Sequence, residues 1–271
     1  MAVISINGVD VYYEERGTGT EVFLIVMHGR NELEFMSLLP PEYHTFRVDL
    51  PGYGRSTNLK EFRGFKQWSE DIYNFSQRLG LDKFIYIGYS MTGIVGFQLV
   101  LDHPEVVKGF IPLTSIPIPE VPLPGSEEKA LMESGDDEAH EAYMEKTFLF
   151  PVSTDDKTRL QRRERNRQQR LKNAEKTNTD LSGSRDEQIL FTKEGREKTV
   201  PRLREIRVPT LLLFGAQDWS NPLVPAITSA MSIPNAKAVF YQDYGHGLPV
   251  EGPDKIVDEI VTFVNELNKE S

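Results

Sequence analysis

The first fifteen residues, MAVISINGVDVYYEE, alternate apolar and polar side chains about a central Asn7-Gly8. Period-two alternation marks a strand with one buried face, and Asn-Gly suits a tight hairpin turn, so an opening β-hairpin is expected. Beyond it, Val22–Met27, Thr45–Asp49 and Phe84–Ile87 read as short strands. The first and last of these are continuous apolar runs, as expected of strands covered on both faces. Between the last two, Phe65, Trp68, Ile72, Phe75 and Leu79 recur at helical spacing. A helix from Met91 to Leu101 and a strand from Val106 to Thr114 continue the series. The alternation predicts an α/β fold with a mostly parallel central sheet flanked by helices.

The pattern breaks at Ser115–Gly125, where Pro117, Pro119, Pro122 and Pro124 exclude a central strand or a helix interior. From about Ser126 to Thr199 the chain is polar and helix-like. Strand signals return at Thr210–Phe214 and Ala236–Tyr241, and Ile256, Ile260, Phe263, Val264 and Leu267 mark a closing amphipathic helix. Residues 1–116 and 200–271 are therefore expected to form one α/β core, with 117–199 inserted as a helical cap. Lys157–Lys176 carries nine Lys and Arg against two Glu. It reads as a solvated cap-helix face turned toward an acidic core, with attraction of anionic substrates or partners as the other reading.

Composition narrows the chemistry. The chain has 271 residues, 39% hydrophobic and 27% charged, and no cysteine. That balance belongs to a globular protein, and the missing cysteine removes disulfides, thiolate catalysis and thiolate metal sites. A net charge of −10 disfavours nucleic acid and anionic membrane as partners. No apolar run approaches the roughly 20 residues of a membrane helix, and the N-terminus reads as a strand and not a signal peptide. The expectation is a cytoplasmic monomer or homodimer acting on a small molecule. No His-x-x-x-His or carboxylate–histidine cluster stands at metal-ligand spacing, and the glycines form no nucleotide-binding loop, so no metal or other cofactor is called for.

One string carries the strongest chemical signal. Phe84–Ile87 runs into Gly88-Tyr89-Ser90-Met91-Thr92-Gly93, after which Ile94, Val95, Phe97 and Leu99 begin an apolar helix. A serine on a sharp strand-to-helix turn is exposed at the sheet's carboxyl edge, and the following amide, of Met91, lies at a helix N-terminus where it can donate to an oxyanion. Taken alone, the string also reads as a buried helix-capping serine.

At these residues the chain resembles the α/β-hydrolase superfamily, whose elbow is commonly Gly-x-Ser-x-Gly; here Thr92 stands at the second glycine and Gly93 follows. His28-Gly29-Arg30, ending the Phe23–Met27 run, resembles the family's oxyanion loop and implies Arg30 as the second amide donor. Asp49-Leu50-Pro51-Gly52-Tyr53-Gly54-Arg55-Ser56 matches the family's turn after the next strand, a structural string. Gly215-Ala216-Gln217-Asp218 matches its Gly-x-x-Asp, the usual place of the acid, and Gly245-His246 its Gly-His. The order serine, acid, histidine fits the fold. The resemblance thus implies an α/β-hydrolase fold with Ser90 as nucleophile, His246 as base and Asp218 as orienting acid, and Asp243 is the competing acid. Elimination points to the same base: among five histidines, His246 alone has glycine on both sides, while His44, His103 and His140 fall at a strand start, a helix end and among cap acids.

Arg30 and Tyr89 are candidate substrate contacts. A guanidinium beside the reacting carbonyl could select a carboxylate-bearing substrate; equally, Arg30 could pair with Glu32 or Glu34. Only 20 residues separate His28 from Asp49, so the loop after the oxyanion strand is short. The resemblance implies hydrolysis of a carboxylic ester or lactone through an acyl-enzyme. It also admits carbon–carbon hydrolysis of ring-fission products, cofactor-free perhydrolase or haloperoxidase-like chemistry, and a slow-turnover ligand receptor.

Overall fold

Asn7 and Gly8 both take positive φ, 51° and 79°, the backbone of a two-residue turn that matches strand twist. Strand β1 (Ala2–Ile6) therefore folds back on β2 (Val9–Arg16), with Ile6 opposite Val9. The computed structural model describes residues 2–28, 33–57, 59, 64–117, 136, 138–139, 142–143, 145, 151–174 and 199–270. Among these the hairpin forms one edge of an eight-stranded sheet of order β1-β2-β4-β3-β5-β6-β7-β8. The remaining strands are β3 (Val22–Met27), β4 (His44–Asp49), β5 (Phe84–Tyr89), β6 (Val107–Leu113), β7 (Thr210–Gly215) and β8 (Ala236–Tyr241). From β4 to β8 every pairing is parallel. The fold class read from the pattern holds, with small shifts at the ends: Val106 belongs to a 3-10 turn begun by Pro104, whose fixed φ suits the first position of a helical turn.

The helices are α1 (Glu34–Leu38), α2 (Gly64–Arg78), α3 (Met91–Asp102), α4 (Lys157–Ala174), α5 (Leu223–Ser232), α6 (Leu248–Glu251) and α7 (Pro253–Glu270). The pleat divides the apolar runs between two cores. Leu24, Val26, Tyr86, Leu212 and Phe214 point to one face, against Trp68, Ile72 and Phe75 of α2 and Val95 and Phe97 of α3. Phe23, Ile25, Ile85, Ile87 and Leu213 point to the other, against Phe35 of α1 and Ile256, Ile260 and Phe263 of α7. Each such side chain contributes about 1.5–3 kcal/mol when fully buried. These two faces hold the sheet, and its carboxyl edge is left to present loops.

Most of 117–199 lies outside the described residues. Its longest described element is α4, and here the expected solvated basic face is overturned in part. Arg159 and Arg163 are buried, and both reach Glu251 of α6. Arg162 pairs with Asp254 at 2.8 Å and Arg165 with Glu34 at 2.6 Å. The basic helix does face core acids, in part through Arg159 and Arg163, which are withdrawn from water. No helix among the described residues is long and apolar enough to cross a membrane.

Candidate active site

β5 ends at Tyr89 and α3 begins at Met91, so Ser90 turns the chain alone, with φ 53° and ψ −117°. This is an unfavourable backbone for a residue with a Cβ and is tolerated where the surroundings over-determine it. They do so here. A Cβ on Gly88 would lie 2.5 Å from the Thr92 carbonyl oxygen, so strand and helix approach closely only because residue 88 is glycine. Thr92, at the position where glycine is usual, is fully buried. Its hydroxyl accepts from the Tyr89 amide at 2.9 Å and donates to the Tyr89 carbonyl at 3.0 Å. The threonine thus tightens the elbow, and the Ser115 hydroxyl adds a 2.7 Å bond to the Ser90 carbonyl.

Two further loops leave the same sheet edge. One follows β7 and carries Asp218; the other follows β8 and carries His246. A Cβ on Gly215 would run into the carbonyls of Tyr244 and Gly245, so glycine at the end of β7 lets the loops touch. The Gln217 amide then donates to the Tyr244 carbonyl at 2.9 Å. His246 Nε2 lies 3.0 Å from Ser90 Oγ and Nδ1 lies 2.9 Å from Asp218 Oδ2. An ionised carboxylate only accepts, so Nδ1 carries the proton, and Nε2 is left to accept from the serine hydroxyl. Asp243, the competing acid, is exposed and lends only its carbonyl, to Arg159.

Asp218 is 2% exposed and His246 9%. Burial pushes the Asp218 carboxyl up, but the His246 charge and hydrogen bonds from His246, Ser220 and Asn221 outweigh it and hold the group below its ordinary value. The Ser220 hydroxyl donates to Asp218 Oδ1 at 2.7 Å, and Asn221 Nδ2 donates to Oδ2 at 3.0 Å and to the Thr114 carbonyl at 2.9 Å. Asn221 Oδ1 accepts from the Ile116 amide at 3.1 Å. Asn221 therefore ties the acid to the segment that leaves β6 beside Ser90. Neither residue stands out in the sequence. The available signal was a polar Ser-Asn pair just after the strand-ending aspartate, where short side chains commonly close a turn.

Tyr89, a candidate substrate contact, gives its hydroxyl to the His246 carbonyl at 3.1 Å, with ring centroids 5.3 Å apart. His28 is half-buried with its Nδ1 shielded from solvent, and its pKa falls to about 4, chiefly through loss of hydration and secondarily through the nearby His246 charge. Met91 opens α3, so its amide is among the first-turn donors with no acceptor inside the helix. Arg30 lies outside the described residues, as does His140. Among the described residues no group of three or more His, Cys, Asp and Glu side chains is placed to hold a metal ion.

A serine hydroxyl bonded to an imidazole that is bonded to a buried carboxylate, beside a helix N-terminus, is an arrangement able to perform acyl transfer. Known proteins resemble this chain in sequence and shape. A pimeloyl-acyl-carrier protein methyl ester esterase of Legionella pneumophila (strain Lens) is 27% identical over 245 residues, which cover 88% of this chain and 92% of that protein. An esterase from Exiguobacterium antarcticum superposes with a TM-score of 0.78 at 19% identity, covering 97% of this chain and 99% of its own. A bromoperoxidase from Bacillus anthracis does so with a TM-score of 0.78 at 19% identity, covering 97% and 98%. The family profile of the alpha/beta hydrolase fold matches residues 24–253. With that match spanning most of its length, the chain belongs to the alpha/beta hydrolase fold family.

Proposed function

We propose that this enzyme is a serine hydrolase that cleaves a carboxylic ester of a small molecule through an acyl-enzyme. The observation that carries the reading is the unbroken series Ser90 Oγ, His246, Asp218, with both bonds near 3 Å. In this reading His246 Nε2 takes the Ser90 proton as Oγ attacks the ester carbonyl, and returns it to the departing alcohol. Asp218 holds the imidazole in the required tautomer and stabilises the imidazolium. The carbonyl oxygen, negative in the tetrahedral intermediate, faces the Met91 amide; the family resemblance implies Arg30 as the second donor. Water, deprotonated by the same histidine, then releases the acid. Residues 117–199 would cap the site.

The methyl ester esterase among the relatives supports an ester with a small alcohol leaving group. The test is intact-mass analysis after an organophosphonate serine probe, together with a panel of methyl esters and lactones of graded acyl length. A single adduct lost in Ser90→Ala, with multiple turnover on the panel, is expected. An adduct that persists in Ser90→Ala would overturn the assignment of the nucleophile, and one slow turnover would favour a ligand receptor.

A further inference from the structure

Glu251 is fully buried and closes α6, five residues after His246. Both its carboxylate oxygens are taken by guanidinium groups of α4. Arg159 donates through Nε and Nη2 to Oε2. Arg163 donates through Nε and Nη2 to Oε1, at 3.0 and 2.8 Å. Two cations thus share one anion out of water, with Asp156 also 3.9 Å from Arg159. Such clusters lose much of their Coulomb attraction to desolvation, and apolar side chains of similar volume often serve stability as well.

What the cluster supplies is a grip on the histidine loop at both ends. At the start, Arg159 Nη2 donates to the Asp243 carbonyl at 2.8 Å, and its guanidinium lies 4.1 Å over the Tyr244 ring. At the end, the amides of Val250 and Glu251 donate to the Gly247 carbonyl, each at 2.9 Å, and Arg162 Nη1 donates to the Glu251 carbonyl at 3.0 Å. His246 lies between these two anchors. The Tyr244 carbonyl also receives the Gln217 amide, so the same grip reaches the loop of Asp218.

We propose that Arg159, Arg163 and Glu251 are positioning residues, through which the seating of α4 sets His246 against Ser90 and Asp218. The inference rests on the catalytic reading of Ser90 and His246 only for its effect on rate. Misplacing a reacting group by about 1 Å is enough to cost on the order of 100-fold, and a released loop need move no further.

The experiment compares wild type, Glu251→Gln, Glu251→Asp and the triple variant Glu251→Leu/Arg159→Met/Arg163→Met. The readouts are kcat and KM on p-nitrophenyl acetate, the rate of phosphonate labelling, thermal unfolding, and the NMR signal of the His246 Nδ1 proton. Glu251→Gln is expected to lower kcat and labelling at least about tenfold with KM little changed, and to shift or broaden the His246 signal. Glu251→Asp should recover part of both. The triple variant should regain thermal stability while kcat stays low. A triple variant with wild-type kcat, or a His246 signal unmoved in Glu251→Gln, would overturn the proposal. If the triple variant does not fold, the Gln and Asp variants decide the matter alone. A wild type that takes no phosphonate defeats the catalytic reading, and the His246 signal then still tests the positioning.

Discussion

Two carboxylates in this protein are entirely buried and each is held by two arginines, yet their surroundings differ. Asp49 ends β4; Arg47 reaches it at 3.0 Å and Arg55 at 2.9 Å. Arg55 also pairs with Glu14 of β2 at 2.6 Å and lies 3.9 Å from the centre of the Tyr12 ring. All of these partners belong to the first 55 residues, so the cluster folds one loop onto the strands that produce it. Glu251 takes its arginines from α4, about 90 residues earlier in the chain. The same chemistry therefore shapes a loop in one place and, in the other, joins α4 to the loop of the candidate base. Sequence separation of the partners is what distinguishes a local brace from a coupling.

The sharpest break of this comparison is Asp49→Ala. It takes from Arg47, which is 6% exposed, the carboxylate that lies 3.0 Å away, and removing one partner of a buried ion pair costs about 3–5 kcal/mol. Denaturant unfolding should show that loss. At a temperature where the variant is folded, kcat should stay near wild type, in contrast to Glu251→Gln. A kcat lowered more than the unfolded fraction explains would place Asp49 among the residues that act on the site.

Asn221→Leu comes next. It removes a donor from Asp218 and leaves the Thr114 carbonyl and Ile116 amide short of a partner, at roughly 1–3 kcal/mol for each buried group that stays unmet. The sign with pH follows from the lowered Asp218 pKa. A carboxyl held below its unfolded value stabilises the fold above that value, and the contribution fades as pH falls through the folded pKa. Loss of the Asn221 donor raises the Asp218 pKa. The stability gap between variant and wild type should therefore be fully open near pH 7 and close only as pH falls below about 3.8, through the lowered pKa, with kcat at neutral pH reduced as the carboxylate loses its fixed orientation. A gap that does not change with pH would mean that Asn221 acts on Thr114 and Ile116 alone.

His28 stands between the two regions, its ring 6.3 Å from Tyr53 in the Asp49 loop and within the field of His246. Its folded pKa of about 4 lies below the ordinary 6.5, so the unfolded chain binds a proton that the folded one refuses. Stability from this group is complete above pH 6.5 and declines as pH falls toward 4. His28→Gln should flatten the pH dependence of unfolding across that window, measured by urea titration. An unchanged slope would assign the acid sensitivity to other groups.

The contrast also explains what could be read in advance. β3 was legible to the residue because a strand covered on both sides must be an apolar run. That Ser90, Asp218 and His246 would meet was implied by the family resemblance of the strings that hold them, and Gly88 and Gly215 are what let those strings approach. The burial of α4 was not legible. In KTRLQRRERNRQQRLKNA only Leu160, Leu171 and Ala174 are apolar, and a helix seated through guanidinium–carboxylate pairs leaves no apolar stripe to find. Ser220 and Asn221 were missed for a related reason. Their partners, Asp218 apart, come from loops that meet only once the sheet is assembled.

The smallest effect is expected at the outer face of the same helix. Arg165 pairs with Glu34 at 2.6 Å, a distance as short as any in the Asp49 cluster, but its side chain is 64% exposed. Water screens such a pair, and holding a long side chain in one place offsets the remaining attraction, so exposed pairs contribute about 0–1 kcal/mol. Arg165→Ala should leave thermal unfolding and kcat within error of wild type at moderate salt. Arg163, two residues earlier and 9% exposed, should in contrast disturb both when replaced by Ala. Equal effects at the two positions would mean that α4 is held by its total charge and not by the seated pair at Glu251. Raising the salt separates the two cases, because screening weakens a surface charge attraction and leaves a buried, hydrogen-bonded carboxylate largely untouched.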